Sequence, residues 1–493
     1  MKKLILLILI LFIYSFSSKS ETYNLDLQKS IEIAKSKSFT MLSLIQDFKI
    51  AEYNLKSATS KLKTHINLNF VSPQYTETVN QFQDSTGISF YPVRQLNYSG
   101  NINVNQPLPT DGYVYINSGL ANYDDFNARI RSTFLNTRIG VDQPISAFYG
   151  YNNIKSTLKQ AELAYEQSKK GLKREELNLV YQVSSSFYQL LSDQKGSEIA
   201  SLDYDRQKDA YDIAQNKYKA GLIKEVESLQ MEVDLAEAQN NFDLSKVNQN
   251  SSLNSFKELI GINLKDSVSI SSKFNYEVVI VDPEEAVRLA LQNRLEIREQ
   301  EIQIELNKLS IKKQKSVGMI QGDLTAYYEK IGFSGQDINT KISTAVQNSY
   351  TNYLNRPQNF GIGFNISVPL LDWGENRALV KAAESRLKQN QLQKEVVERS
   401  IEREVRNLVG DLNSSLKRLQ LLEKNVSVAE KSFEITHQRF SDGDIDSQSL
   451  ALERIRLNTA YTSHLRAYIN YQLLLADLMR KTFYDFQKKE AIK

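Results

Sequence analysis

The chain has 493 residues, 24% of them charged, and a formal net charge of only +3. Lys2, Lys3 and Lys19 account for this excess, so the rest of the chain is neutral and lacks the basic surface that nucleic-acid binding requires. The sequence contains no cysteine, which excludes disulfide bonds and thiol catalysis. A lipoprotein anchor is attached to a cysteine at the cleavage site, so we expect no lipid anchor.

Residues 1–20 form a predicted signal peptide. Lys2 and Lys3 precede an apolar run at residues 4–16, and small residues come before Glu21. The run is shorter than the roughly 20 residues that span a bilayer, which favours cleavage over the alternative of an uncleaved anchor. No second long apolar stretch follows. The mature chain is therefore predicted to be periplasmic, extracellular, or a β-barrel of an outer membrane.

The mature sequence contains one pattern twice. Gly221 returns as Gly443, 222 positions later, whereas Ile31 near the start returns as Val287, 256 positions later. A repeat of this length indicates two copies of a whole subdomain. We place the copies at residues 21–260 and 283–482, with a linker at 261–282. A tail at 483–493 follows and is expected to be frayed.

Each copy is predicted to begin with a helix, at residues 25–63 and 284–316, followed by strands within about 64–145 and 320–370. In residues 361–368 apolar side chains alternate with glycine, asparagine and serine. This alternation suits a strand between lipid and a polar lumen. A half-buried strand of a soluble sandwich is the alternative.

The first copy carries an insertion in its strand region. The drop in offset from 256 to 222 corresponds to 34 extra residues. We place them near residues 97–125, where two alternating runs flank an Asp111–Gly112 turn signal.

Two long helical hairpins are predicted, at about residues 151–260 and 376–482. Each turns at a glycine, Gly221 or Gly443. At 1.5 Å per residue, a first helix of about 65 residues would be about 100 Å long. Apolar residues recur at every seventh position of the second hairpin, which predicts a left-handed supercoil: they are Val405, Leu412, Leu419, Val426, Phe433 and Phe440.

Nothing in the sequence predicts an enzyme. The three histidines, His65, His437 and His464, are far apart and lack ligand spacing. There is no metalloprotease motif, phosphate-binding loop or dinucleotide fingerprint. We therefore predict no catalytic residue, no cofactor and no bound metal.

The second copy contains the segment VPLLDWGENRA at residues 368–378, between its predicted strands and its long helix. This segment resembles the strand-to-helix junction of the TolC family of outer-membrane efflux proteins. Residues 285–296 and the turns at Gly221 and Gly443 also resemble the family, and the resemblance covers nearly the whole mature chain. The junction residues are Pro369, Asp372, Trp373 and Gly374, with Pro144 at the junction of the first copy. Trp373 suits an interfacial belt, with a core aromatic as the alternative.

The resemblance implies a mixed α and β fold in a homotrimer. Each chain would supply four strands to a shared twelve-stranded membrane β-barrel, continued by a periplasmic α-helical barrel of coiled-coil hairpins. The linker at 261–282 would form an equatorial belt. The implied function is a passive exit duct for efflux or type I secretion. It would be served by a periplasmic adaptor (membrane fusion protein) and an inner-membrane pump of the RND or ABC type. A periplasm-spanning structural protein or adhesin is the alternative.

Acidic residues surround both hairpin turns: they are Glu225, Glu227, Asp442, Asp444 and Asp446. In a trimer they would form carboxylate rings that select cations. Alternatively, they only cap the helices that follow. The family's charged gate residues are replaced here by Ile445, Ser449 and Leu452, so the gate residues are expected to differ.

Overall fold

The computed structural model describes residues 22–271 and 276–492. The predicted signal peptide at residues 1–20 lies outside the described residues, as do residues 272–275 of the predicted linker. The chain divides into two compact units. A helical unit holds the residues up to 48, 169–298 and 394 onwards, and a sheet unit holds 49–168 and 299–393.

The elements of both copies follow one order of helices, strands and a long helical hairpin. In the first copy they are β1 (Thr22–Leu25), α1 (Leu27–Lys37), α2 (Phe39–Ser60), β2 (His65–Asp84), β3 (Gly87–Pro107), β4 (Tyr113–Asp125), β5 (Ile130–Pro144), α3 (Ser146–Tyr149), α4 (Asn153–Lys219) and α5 (Glu225–Ile260). The linker contains β6 (Ser267–Ile270). The second copy and the tail contain α6 (Pro283–Asn293), α7 (Leu295–Val317), β7 (Gln321–Asp337), α8 (Ile342–Asn355), β8 (Asn359–Ser367), α9 (Glu375–Asp442), α10 (Ser447–Thr482), β9 (Tyr484–Asp485) and β10 (Glu490–Ala491).

The opening helix of each copy is broken in two, so the prediction of one continuous helix was wrong. Ser38 separates α1 from α2 with ψ 138°, and Arg294 separates α6 from α7 with ψ 131°. Both residues still donate their N–H to the carbonyl four residues earlier. The Ser38 hydroxyl then accepts the N–H of Met41, 3.2 Å away, which starts α2. The two breaks are 256 positions apart, the same offset that separates Ile31 from Val287.

Six strands form one antiparallel sheet in the order β2-β3-β4-β5-β7-β8. The expectation of four strands per chain was therefore wrong. The insertion does not lie apart from the sheet, because pairing continues without interruption from β3 through β4 to β5. The helix α8, between β7 and β8, was also not expected within residues 320–370. Strands β2 and β8 form the two open edges of this sheet.

The core of the helical unit contains the predicted heptad row. Val405, Leu412, Leu419, Phe433 and Phe440 are buried, and the sixth member of the row is half-buried. The row therefore faces other helices, as the seven-residue period predicts. Among the described residues, none of the helices combines the length and apolarity needed to cross a membrane.

The linker and the tail both form strands. Strand β6 of the linker pairs in parallel with β1. The tail is structured as far as residue 492, which corrects the expectation of fraying. Phe483 is buried, β9 pairs with β10, and the Ile492 N–H donates to the Phe483 carbonyl over 3.0 Å.

Candidate functional site

One face of the sheet carries an apolar row that crosses all six strands. Residues that pair directly across neighbouring antiparallel strands point to the same face. Following the register from β2 to β8, the row consists of Ile66, Val104, Ile116, Ile139, Tyr328 and Phe360. Its members at the two open edges, Ile66 and Phe360, are 69% and 79% exposed. We call this the apolar face.

The opposite face carries a polar row at the next position along each strand. It consists of Asn67, Asn103, Asn117, Arg138, Glu329 and Asn359. The Arg138 guanidinium stacks on the Tyr327 ring with 3.8 Å to the ring centre. The Asn359 amide donates to Glu329 over 3.4 Å. We call this the polar face. A sheet with one apolar and one hydrated face can separate lipid from water.

The apolar face becomes polar towards the far end of the sheet, where β2 ends and β7 leads to α8. Arg131 lies 2.8 Å from the Asp124 carboxylate and also donates to the Thr340 carbonyl. The Thr133 hydroxyl donates to the Asn122 side chain over 2.7 Å. Apart from Arg131, which is also largely shielded from solvent, these side chains are buried, and α8 packs against β5 and β7. The apolar part of this face is therefore limited to one band of the sheet.

The strand-to-helix junctions are built on carboxylate caps. Asp372 accepts the N–H groups of Gly374, at 2.9 Å, and Asn376, at 3.1 Å. These hydrogen bonds, the one from Gly374 first, hold the pKa of Asp372 below its usual value. Trp373 is 92% exposed and has a positive φ of 53°, followed by Gly374 at 85°. An exposed tryptophan here fits the interfacial belt better than the core alternative.

At the first junction the helix cap is Asp111, a residue that the local sequence did not indicate as a cap. Pro144 ends β5, and α4 begins nine residues later, at Asn153. Both carboxylate oxygens of Asp111 accept N–H groups at the start of α4, from Asn153 and Ile154 at 2.9 Å each. Asp111 also occupies the predicted β3–β4 turn, with φ 69°. Only the sheet register brings these segments together, so no local signal could have found this cap.

Both hairpin turns use glycine in the left-handed region. Gly221 has φ 76° and Gly443 has φ 88°, values that side-chain-bearing residues rarely adopt. The two turns lie close together in the helical unit. Lys217, near the end of α4, donates to the Phe440 carbonyl near the end of α9, and its ammonium lies 4.6 Å from the Phe440 ring centre. We call residues 217–227 and 439–449 the tip region.

The predicted acidic residues occupy different positions in the tip region. Asp446 is the N-cap of α10 and accepts the Ser449 N–H over 2.9 Å, as the capping interpretation predicts. Asp442 accepts the Gln438 amide over 3.2 Å. Glu225 and Glu227 lie in the first turn of α5. Asp444 follows Gly443 and is exposed.

Farther from the turns, a charge pair joins the two hairpins. Arg454 of α10 lies 3.2 Å from Asp203 of α4, and their side chains are only 13% and 14% exposed. His437 of α9 lies 3.0 Å from Asp209 of α4. Sequence analysis did not predict the contacts of these four residues or of Lys217, because their partners are more than 200 positions away. Within the described part of the chain, no group of three or more His, Cys, Asp or Glu could hold a metal ion.

Comparison with known proteins identifies the family. The sequence model of the outer membrane efflux protein family matches residues 131–262 and 286–480, more than half of the chain. The chain belongs to this family, which confirms the resemblance noted from its junctions and turns. No curated protein matches the sequence.

Solved structures share the fold at low identity. The CmeC outer membrane channel of Campylobacter jejuni is 14% identical, with a TM-score of 0.67 over 92% of this chain and 85% of that chain. The MtrE outer membrane channel of Neisseria gonorrhoeae, in its open state, is 13% identical, with a TM-score of 0.66 over 95% and 90%. The outer membrane protein VceC of Vibrio cholerae is 12% identical, with a TM-score of 0.64 over 95% and 97%. Two of these three neighbours, CmeC and MtrE, are outer membrane channels.

Proposed function

We propose that this protein is the exit duct of an efflux or type I secretion system in the outer membrane. It would conduct substrates passively, with no energy source of its own. The observation that carries the proposal is the two-faced sheet, with an apolar row and a polar row that each cross six strands. Long helices follow this sheet in both copies.

The hydrogen bonding of the sheet supports closure by further copies of the chain, and the family resemblance makes three the proposed number. The open edges β2 and β8 would expose unpaired backbone groups, which lipid does not tolerate. Pairing β8 of one copy with β2 of the next satisfies both edges. Three six-stranded sheets then close an eighteen-stranded barrel in place of the twelve strands expected from the family. A barrel of about 16–18 strands leaves an aqueous channel, here lined by the polar face.

The tip region is the proposed gate at the periplasmic end. Asp442, Asp444 and Asp446 would form rings around the threefold axis, with Glu225 and Glu227 beside them. Such rings select cations. The Arg454–Asp203 pair would hold the two hairpins of one chain together in the resting state. This arrangement takes over the role of the family gate residues that are absent at Ile445, Ser449 and Leu452.

A passive duct has no energy source of its own, so we expect it to work with partner proteins. An inner-membrane pump of the RND or ABC type would supply energy and select the substrate. A periplasmic adaptor would dock in the grooves between the helical hairpins near the tip region. The junction residues, with Trp373 exposed, would lie at the inner surface of the outer membrane.

Single-channel recording in planar bilayers tests the proposal. The purified trimer should give discrete conductance steps, and replacing Asp444 and Asp446 by asparagine should change block by divalent cations. Unchanged block would reject the carboxylate rings but leave the duct intact. A trimer that inserts and gives no conductance, even with the acids neutralised, would instead support the structural spacer or adhesin.

A further inference from the structure

Helix α8 lies over the apolar face of the sheet. Gly332 of β7 points to the same face as Tyr328 of the apolar row, because side chains alternate along a strand and the two residues are an even number of positions apart. A Cβ atom at Gly332 would collide with the Ser349 carbonyl oxygen of α8. Ser349 itself is fully buried. The helix therefore rests on the face that the proposed duct turns towards lipid.

The helix runs back along β7 towards the apolar row. Just before α8 begins, the Thr340 carbonyl accepts a hydrogen bond from Arg131 at the far end of the sheet. At the other end of α8, the Lys330 ammonium donates to the Leu354 carbonyl over 3.1 Å. Lys330 is two residues beyond Tyr328, about 7 Å along a strand. The last turn of α8 is therefore adjacent to the apolar row.

Helix α8 has an apolar flank and a polar flank. The contact with the sheet buries Ala345 and Ser349. Beside this buried side, apolar residues recur at every fourth position and form a stripe along the helix: Ile342, Val346, Tyr350 and Leu354. Exposed polar residues share the opposite flank: Thr344, Asn348, Thr351 and Asn355. Ile342, Tyr350 and Leu354 are 48%, 46% and 54% exposed. Such a division into flanks is typical of helices that lie at a membrane surface.

Two stacked tyrosines mark the end of α8 that is nearest the apolar row. The rings of Tyr350 and Tyr353 are 6.5 Å apart between centres and almost parallel, at 9°. The Lys330 ammonium lies 5.4 Å from the centre of the Tyr353 ring. Tyrosine is enriched where a membrane meets water, because its ring is apolar and its hydroxyl is polar. These rings would face the outer surface of the membrane, as the exposed Trp373 would face the inner surface.

Strand β8 stops where α8 begins to cover the sheet. It has nine residues, at the short end of the about 9–11 that cross a membrane, and its last pair is Asn359 with Glu329. Beyond this pair the face carries Thr133 of β5 and Ser334 of β7, which are buried. Helix α8 packs on both of these strands. Lipid at this edge would therefore meet the apolar stripe of α8 and not the polar side chains beneath it.

We propose that the last two turns of α8 enter the outer leaflet of the membrane through Tyr350 and Leu354. The helix would thus complete the lipid-facing surface where β8 ends. This contact rests on the proposed location of the sheet in the outer membrane. Lipid is favoured over a second copy as the occupant, because the stripe is on the same side of the sheet as the apolar face and continues it beyond Tyr328.

Fluorescence quenching from two sides tests the contact. The native chain has no cysteine, so Tyr350→Cys and Leu354→Cys each place one fluorescent label on the full chain, which is reconstituted in phosphatidylcholine bilayers. The quencher is either a lipid with a nitroxide next to its headgroup or iodide in the water. Both labels should lose more fluorescence to the nitroxide lipid than to iodide. The matched control, Thr344→Cys on the polar flank, should lose more to iodide.

A second control separates this contact from the proposed duct. Ile362 is 77% exposed and lies on the apolar face, so a label at Ile362→Cys should be quenched by a nitroxide at the end of the lipid chain. If it is quenched, but the Tyr350 and Leu354 labels respond only to iodide, the contact of α8 is overturned and the membrane band stands.

Two further outcomes are informative. Labels at Tyr350 and Leu354 that neither quencher reaches would assign the stripe to a second copy and overturn the lipid contact. A label at Ile362 that responds only to iodide would overturn the proposed function as well. The two test positions lie on separate turns of α8, so a substitution that prevents folding at one position leaves the other as the test.

Discussion

The guanidinium of Arg454 lies 3.2 Å from the carboxylate of Asp203, and this pair joins the second helical hairpin to the first. Both side chains are nearly buried, and one oxygen of Asp203 and the Nε of Arg454 have no hydrogen-bond partner among the described residues. The pair is thus shielded from water without being fully satisfied. In the proposed gate this pair acts as a lock between the hairpins, because removing one partner would leave the other charge shielded and uncompensated.

Arg454→Gln should therefore loosen the tip region. Asp203 keeps its charge without a cation, which costs about 2 kcal/mol of unfolding free energy. We expect a lower denaturation midpoint in detergent and a higher open probability in bilayers. The matched control is Arg456→Gln, because Arg456 is 73% exposed and its pairing with Glu453 should contribute less than about 1 kcal/mol. Equal effects of the two substitutions would argue against the lock.

Lys217→Met should release the second turn from the first. The methionine retains an apolar stem but cannot donate to the Phe440 carbonyl. Loss of one charged hydrogen bond of about 1.4 kcal/mol should speed amide exchange in residues 440–446 about tenfold. Lys219→Met, at an exposed position two residues later, is the control. The same exchange rates in both variants would show that the contact does not hold the turns together.

Asp446 is both the N-cap of α10 and a negative charge in the tip region, and two substitutions separate these roles. Hydrogen bonds from Ser449 hold its pKa below the ordinary value of 3.8. Its stabilising contribution is therefore complete above that value and is lost as the pH falls through the lowered pKa. Asp446→Asn should retain the cap and remove only the charge, whereas Asp446→Ala removes both. We expect α10 to fray in the alanine variant alone, measured by amide exchange at residues 447–450. Fraying in both variants would assign the stabilisation to charge.

Lysine substitutions at two neighbouring residues of β4 should have different effects on membrane insertion. Ile116 belongs to the apolar face and Asn117 to the polar face. A lysine facing lipid costs about 2–4 kcal/mol at mid-membrane, so Ile116→Lys should reduce the yield of membrane-inserted trimer. Asn117→Lys should insert normally and shift ion selectivity towards anions. Normal insertion of both variants, measured by outer-membrane fractionation, would contradict the assignment of the faces.

Periodic patterns allowed the larger elements to be predicted. The heptads from Val405 to Phe440 and the alternation at residues 361–368 are signals that depend only on local sequence. Apolar residues at every fourth position from Ile342 to Leu354 are also a local signal with helical spacing. This signal could have revealed α8 within the expected strands.

Other features depend on contacts that no local pattern encodes. The strand count differs from the expected four because the register continues through the insertion around Asp111. The Asp111 cap on α4 and the Arg454–Asp203 pair join residues 42 or more positions apart. Such partners become visible only when the fold brings them together. The breaks at Ser38 and Arg294 were missed because helical periodicity continues across both positions.

The most direct test of the duct is cysteine accessibility during single-channel recording. The chain has no native cysteine, so Asn117→Cys and Ile116→Cys place a single thiol on the polar or the apolar face. A charged, water-soluble thiol reagent should change the unitary conductance of Asn117→Cys channels in one step per subunit and leave Ile116→Cys channels unchanged. Channels that are unaffected at Asn117, or are altered at Ile116 instead, would contradict a pore lined by the polar face.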